Sequence, residues 1–270
     1  MTINRRDLLV ASGLFLLAGP RAIGQGTAPA RAQPQTRGLQ GRLLDALQRN
    51  RLPLTMSDGP TGRGWDWLVQ EARDARFTLI GEEHGVVETA QFSAALFNAI
   101  RGSGYSRMAI ELSPIIAQDI EAAARRKGLQ GILDFFALPD TWSPMYLREE
   151  AQFLAAVIDS GPSSERVLWG FDREIFSDRY LISRLEARVP RRARESFARL
   201  KEASTLSWAR RAEDPGAGPP FLFAEDPAVV SAVRAAWPNP DRESDMILRT
   251  LEESLAINAV ARTGTAWDSA

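Results

Sequence analysis

The chain has 270 residues, with 33 Lys and Arg against 34 Asp and Glu, a formal net charge of −1, one histidine and no cysteine. This near-neutral balance, without a basic tract interleaved with aromatics, argues against a nucleic-acid partner. The missing cysteines remove disulfides, thiolate catalysis and Cys-ligated zinc or iron–sulfur sites from consideration.

Met1-Thr2-Ile3-Asn4-Arg5-Arg6-Asp7 opens the chain on a paired arginine, and an apolar run follows from Leu8 to about Ala18. That run is shorter than the roughly 20 residues a membrane helix needs. The pattern predicts a twin-arginine-type signal peptide over residues 1–32, with Ala30-Arg31-Ala32 as first and Ala22-Ile23-Gly24 as second cleavage site. The expected route is the twin-arginine export machinery, and the expected location periplasmic or secreted, with no stable membrane span once the signal is removed. Residues 33–64 read as a linker and N-terminal helix. Residues 65–270 read as one domain, large enough for a substantial core. Within 59–64, Gly-Pro-Thr-Gly-Arg-Gly lacks the Lys-Ser/Thr of a phosphate cradle and reads as a loop before a helix at 65–73.

Three apolar runs stand out from a largely helical background: 77–80, 108–112 and 167–171. Each has the length of a fully buried strand and is separated from the next by helix-length sequence. Between the first two, Val87, Ala90, Ala94, Phe97 and Ile100 draw a stripe along one helix face. Ser113-Pro114 predicts an N-cap with proline at N1, and a further helix is expected over about 147–158. The alternation predicts an α/β fold: a parallel sheet core with its active edge at the strand C-termini. The last third predicts a helical cap or insertion. Leu181, Leu185, Phe197 and Leu200 are its buried positions over 179–211, and Leu248, Leu251 and Leu255 line a second helix over about 243–261.

Each expected strand runs into an acid: Glu82-Glu83-His84 after the first, Glu111 after the second, Asp172 after the third. Ligands of open parallel sheets bind outside the strand C-termini, so these residues are expected to converge. Two chemistries suit such a cluster. In one, His84 is a general base, Glu82 or Glu111 orients its ring, and another acid protonates the leaving group. In the other, His84 with Glu82, Glu88 and Glu111 holds a divalent metal that activates water, with Mn, Fe or Co suiting one histidine among carboxylates. Glu88 lies four residues after His84, on the same face if the segment is helical. Glu83 and Asp172 are supporting candidates, and Trp142 and Tyr146 a candidate aromatic wall for substrate. Ser93 and Ser113 have no second histidine around which to build a triad.

Gly81-Glu82-Glu83-His84-Gly85 with Glu88, then Ala109-Ile110-Glu111, then Gly170-Phe171-Asp172 resembles the erythromycin esterase-like and ChaN/Tiki-like superfamily over roughly residues 77 to 174. The resemblance implies a pocket at the strand ends lined by Glu82, His84, Glu88 and Glu111, with Asp172 nearby. The implied activities are ester hydrolysis through a histidine base, metal-dependent peptide cleavage, or haem association without turnover. The substrate would be a small molecule or a peptide. Only Glu83 separates the first motif's glutamate from its histidine, which is closer to the ChaN/Tiki pattern. A second histidine, found on a later strand in many relatives, has no counterpart after His84. Either another residue supplies its role, or the domain is C-terminally truncated and the chain an inactive relative.

Overall fold

The computed structural model describes residues 34–81, 83–162, 164–214 and 220–263. The signal peptide expected at 1–32, the cleavage sites and the segment at 267–270 lie outside the described residues. The chain divides after Arg51 into two units. The described part of the first contains helix α1, Pro34–Arg49.

The second unit is mostly helical with a two-stranded parallel sheet. Its elements run α2 (Arg63–Asp74), α3 (Val87–Ile100), β1 (Met108–Ile110), α4 (Pro114–Phe136), α5 (Arg148–Ser160), β2 (Leu168–Gly170), α6 (Asp178–Glu186), α7 (Arg194–Glu213), α8 (Phe221–Ala224), α9 (Ala228–Ala236) and α10 (Arg242–Thr263). Residues 59–62 form a loop beside a bridge between Thr55 and Thr61, which exchange both backbone hydrogen bonds at 3.0 and 2.9 Å, and the last two residues of the expected loop, Arg63 and Gly64, open α2. No helix among the described residues is long and apolar enough to cross a membrane.

Two of the three expected strands form and pair in parallel, Met108 opposite Leu168 and Ile110 opposite Gly170. Residues 77–80 are the exception. They form no ladder, and Phe77 and Leu79 are 76 % and 88 % exposed, so the expectation of a third buried strand is corrected. An apolar run becomes a strand only when a neighbour takes its backbone hydrogen bonds. Here a cavity lined by residues 77–80 and by Met108 and Ala109 separates the run from β1. Tyr105 instead anchors this segment through its hydroxyl, which lies 2.8 Å from Thr78 Oγ1 and 2.8 Å from the Ala72 carbonyl.

The helical expectations agree with the observed elements. Ala90, Phe97 and Ile100 of α3 are buried, as are Leu181, Leu185, Phe197, Leu200, Leu248, Leu251 and Leu255. α4 carries a kink at Lys127 and Gly128, where φ is −140° and +57°. Only glycine adopts the second value without strain. Arg184 ties three helices together, bonding Asp119 of α4 and Glu243 of α10 from its own place on α6.

Two carboxylates in this framework have no role in the expected site. Glu121 of α4 is buried and accepts from the N–H groups of Val167 (3.0 Å) and Leu168 (3.1 Å), while Arg125 donates to it from one turn on. It thereby seats the start of β2. Asp178, fully buried at the start of α6, accepts from Ser204 Oγ and from Trp208 Nε1 at 3.0 Å. Burial pushes its pKa from 3.8 up to about 6, against the smaller opposing pull of these hydrogen bonds.

The raised pKa makes stability depend on pH. Between the two values the folded protein holds a proton that the unfolded chain releases, so stability falls as pH rises. The contribution is fully present below pH 3.8 and is lost as pH passes about 6. Asp178→Asn, which mimics the protonated acid, is expected to match the native chain near pH 4 and to exceed it at pH 8. The gain is about 3 kcal/mol at most, because each tenfold difference in proton affinity between the folded and unfolded chain is worth about 1.4 kcal/mol. Urea unfolding midpoints at the two pH values check this; a variant less stable at pH 8 would mean that the ionised carboxylate is the better-satisfied form.

Candidate functional site

His84 stands on a short turn between residues 77–80 and α3. Gly85 follows at φ +78°, a left-handed conformation that suits glycine and turns the chain into the helix. The Gly85 N–H points to Glu150 Oε1 at 3.4 Å, and the other oxygen of Glu150 accepts from the Leu147 N–H at 2.8 Å. Glu150 is therefore a buried clasp: from the first turn of α5 it caps its own helix and reaches the loop that carries the histidine.

Glu111 immediately follows β1. Its position is set by packing at the ends of the two strands. The Phe171 N–H donates to the Ile110 carbonyl at 3.3 Å and the Asp172 N–H to the Leu112 carbonyl at 3.0 Å. At Gly170 a Cβ would fall 2.4 Å from the Ser113 carbonyl oxygen and 2.5 Å from that of Leu112, so only glycine lets β2 press this closely against the corner. Ser113 occupies the N-cap of α4 as expected, yet its hydroxyl does not cap the helix. It donates to Glu174 Oε2 at 2.6 Å. Buried Glu174 also gathers the N–H groups of Ile175, Phe176 and Ser177 at 2.9, 3.2 and 3.0 Å, locking the segment after β2 to the start of α4.

These two positions meet. His84 Nε2 lies 3.3 Å from Glu111 Oε2, with side chains 38 % and 46 % exposed. An ionised carboxylate only accepts, so a hydrogen bond here from the neutral imidazole needs the tautomer with its proton on Nε2, which leaves the Nδ1 lone pair free. The distance exceeds the about 2.7–2.9 Å of a tight charge-assisted bond. His84 of the pair borders a cavity of about 430 Å³ that is also lined by Glu83 and Glu150, by mostly apolar side chains of α3, β1 and α5, and by Arg76, Tyr105 and Arg107.

The other expected residues fall in different places. Glu82 lies outside the described residues. Glu83 lines the cavity. Glu88 sits exposed in the first turn of α3, where the helix dipole favours an acid. Asp172 does not line the cavity beside His84: its Oδ1 accepts from the Arg173 N–H at 2.8 Å, while Arg173 Nε donates to Asn258 of α10 at 2.8 Å. Trp142 and Tyr146 border a second cavity, of about 330 Å³, rather than the one beside His84. Trp142 packs edge-on against Phe176 at 4.7 Å and exchanges hydrogen bonds with Ser177 Oγ.

Among the described residues no group of three or more His, Asp or Glu side chains is placed to hold an ion, and Glu82, one of the four expected ligands, lies outside them. Glu150 and Glu174, which hold the loops beside the pair, are positions that the sequence does not single out. Glu150 follows a helix start at capping-box spacing, which identifies a cap, whereas its hold on Gly85 spans 65 residues and leaves no local trace.

No protein-family model, curated protein or solved structure matches this chain.

Proposed function

We propose that this chain is an exported hydrolase of an ester or amide, with an α/β fold related to the erythromycin esterase-like and ChaN/Tiki-like superfamily and its catalytic edge at the strand C-termini. The observation that carries this reading is the hydrogen bond between His84 and Glu111, with His84 itself lining a largely apolar cavity. A general base needs a fixed tautomer, an ion to stabilise its protonated form, and a dry compartment for the substrate beside it. The paired arginines and apolar run at 5–18 support export.

In the proposed reaction Nδ1 of His84 takes a proton from water as the water oxygen attacks the substrate carbonyl. Glu111 stabilises the imidazolium through Nε2. The tetrahedral intermediate then expels its alcohol or amine, which takes the proton back from Nδ1, and the acid product remains. Glu83, Glu111 and Glu150 surround this point with carboxylates, which repel the newly formed carboxylate product and favour its release.

The test is steady-state hydrolysis of 4-nitrophenyl acetate by the purified mature protein. Saturable turnover is expected in the native chain. Glu111→Gln keeps an acceptor for Nε2 without its charge, and is expected to slow turnover about 10- to 100-fold, which corresponds to the roughly 1.5–3 kcal/mol of a charged hydrogen-bond partner. Turnover equal in the two proteins, or none above the buffer rate in either, would overturn the reading.

A further inference from the structure

The cavity beside His84 is long as well as apolar. Its α3 wall is formed by Ala90, Ser93, Leu96, Phe97 and Ile100. Ten residues separate the first from the last, roughly 15 Å at the 1.5 Å rise of an α-helix. Met108 and Ala109 of β1 and Phe153 of α5 line the same space. Its open side is bordered by Phe77 and Leu79, whose apolar side chains face solvent. Glu83, His84 and Glu150 lie just before the N-terminus of α3 or against it, whereas Arg76, Tyr105, Ser106 and Arg107 also line the cavity and the last three follow α3 in the chain, so the carboxylates and the imidazole share one end of an apolar stretch.

We infer that this channel holds the acyl part of the substrate, and that the substrate class is esters or amides of unbranched, medium-length acyl chains. The inference rests on the hydrolase reading above and names its substrate. A carbonyl placed at His84 leaves only one direction with apolar walls, along α3 towards Ile100. Along that wall Ser93 is the one polar side chain between Ala90 and Ile100, so the acyl chain packs mainly on apolar groups. The volume of about 430 Å³ falls within the range of small-molecule pockets. The leaving group, on the other side of the carbonyl, faces the solvent around exposed His84 and Glu111 and is not selected by this cavity.

The experiment has two parts, so that failure of the acyl pocket and failure of the catalytic reading give different results. In the first, 4-nitrophenyl esters from acetyl to decanoyl are compared. kcat/KM is expected to rise about fourfold per added methylene until the channel is full, from the transfer free energy of each buried CH₂. Ser93→Phe, which fills the middle of the channel, is expected to bring that break to a shorter chain and to lower the decanoyl-to-acetyl ratio at least tenfold. In the second, binding of decanamide to the native chain and to His84→Gln is followed by calorimetry. Binding to both, with a negative heat-capacity change, supports the channel even if no ester is hydrolysed, and then only the catalytic reading falls. Acetyl ester turnover with a flat chain-length series and no decanamide binding would overturn the acyl channel and leave the catalytic reading standing. Helix content of Ser93→Phe by circular dichroism separates a blocked channel from an unfolded chain.

Discussion

His84→Gln is expected to lower kcat for 4-nitrophenyl acetate by about 10²- to 10⁴-fold, the range that a positioned general base contributes. Glutamine is close to histidine in reach and offers Glu111 an N–H, so the local hydrogen bond has a replacement. It has no basic nitrogen lone pair, so proton abstraction from water is what disappears. The side chain is 38 % exposed and is absent from the buried core, and the substitution should leave unfolding free energy within about 0.5 kcal/mol of the native value. Kinetics and urea unfolding on the same preparation check both halves. A rate within a few-fold of native would remove His84 from the reaction, whereas a rate loss accompanied by a large stability loss would make it a structural residue.

Glu121→Ala is expected to be the most damaging single change to the fold, costing about 3–5 kcal/mol, the usual result of removing one partner from a buried ion pair. The carboxylate is shared by Arg125 and by the N–H groups of Val167 and Leu168, all placed by packing that does not relax when the acid is removed. Val167 and Leu168 are themselves buried, so water does not readily take over the two amides. The β2 strand would lose its seating, and with it the contact between the end of β2 and the corner that carries Glu111. Unfolding midpoints of Glu121→Ala and Glu121→Gln distinguish the contributions. The glutamine variant retains an acceptor oxygen and is expected to recover part of the loss; equal losses would mean that charge, not hydrogen bonding, holds β2.

The sequence was most legible where a pattern is local. Helical periodicity is carried by neighbours three and four apart, and it located the buried faces of α3, α6, α7 and α10 residue by residue. Residues 108–110 and 168–170 were readable as strands because short apolar runs between helix-length segments have few alternatives. The same rule failed at 77–80, since it identifies a segment suited to pairing and contains no information on whether an edge is within reach. His84 and Glu111 were legible as site residues from their place after apolar runs, and they meet at 3.3 Å. Asp172 followed the same rule and turned elsewhere, because Arg173 next to it provides a counter-charge and a link to Asn258.

By itself the sequence determined which side chains have no substitute: one imidazole, no thiol, and a set of acids placed just after apolar segments. It also determined the helices, because their stabilising contacts and buried stripes recur within a few residues along the chain. Tertiary structure alone decided which carboxylates meet the histidine, which are consumed as caps and clasps, and where a largely apolar cavity remains beside His84. Those outcomes depend on contacts such as Gly85 to Glu150 and Ser113 to Glu174, 65 and 61 residues apart. A buried acid must find donors wherever the packing brings them, and that search is settled by the folded core as a whole rather than by any stretch of sequence around it.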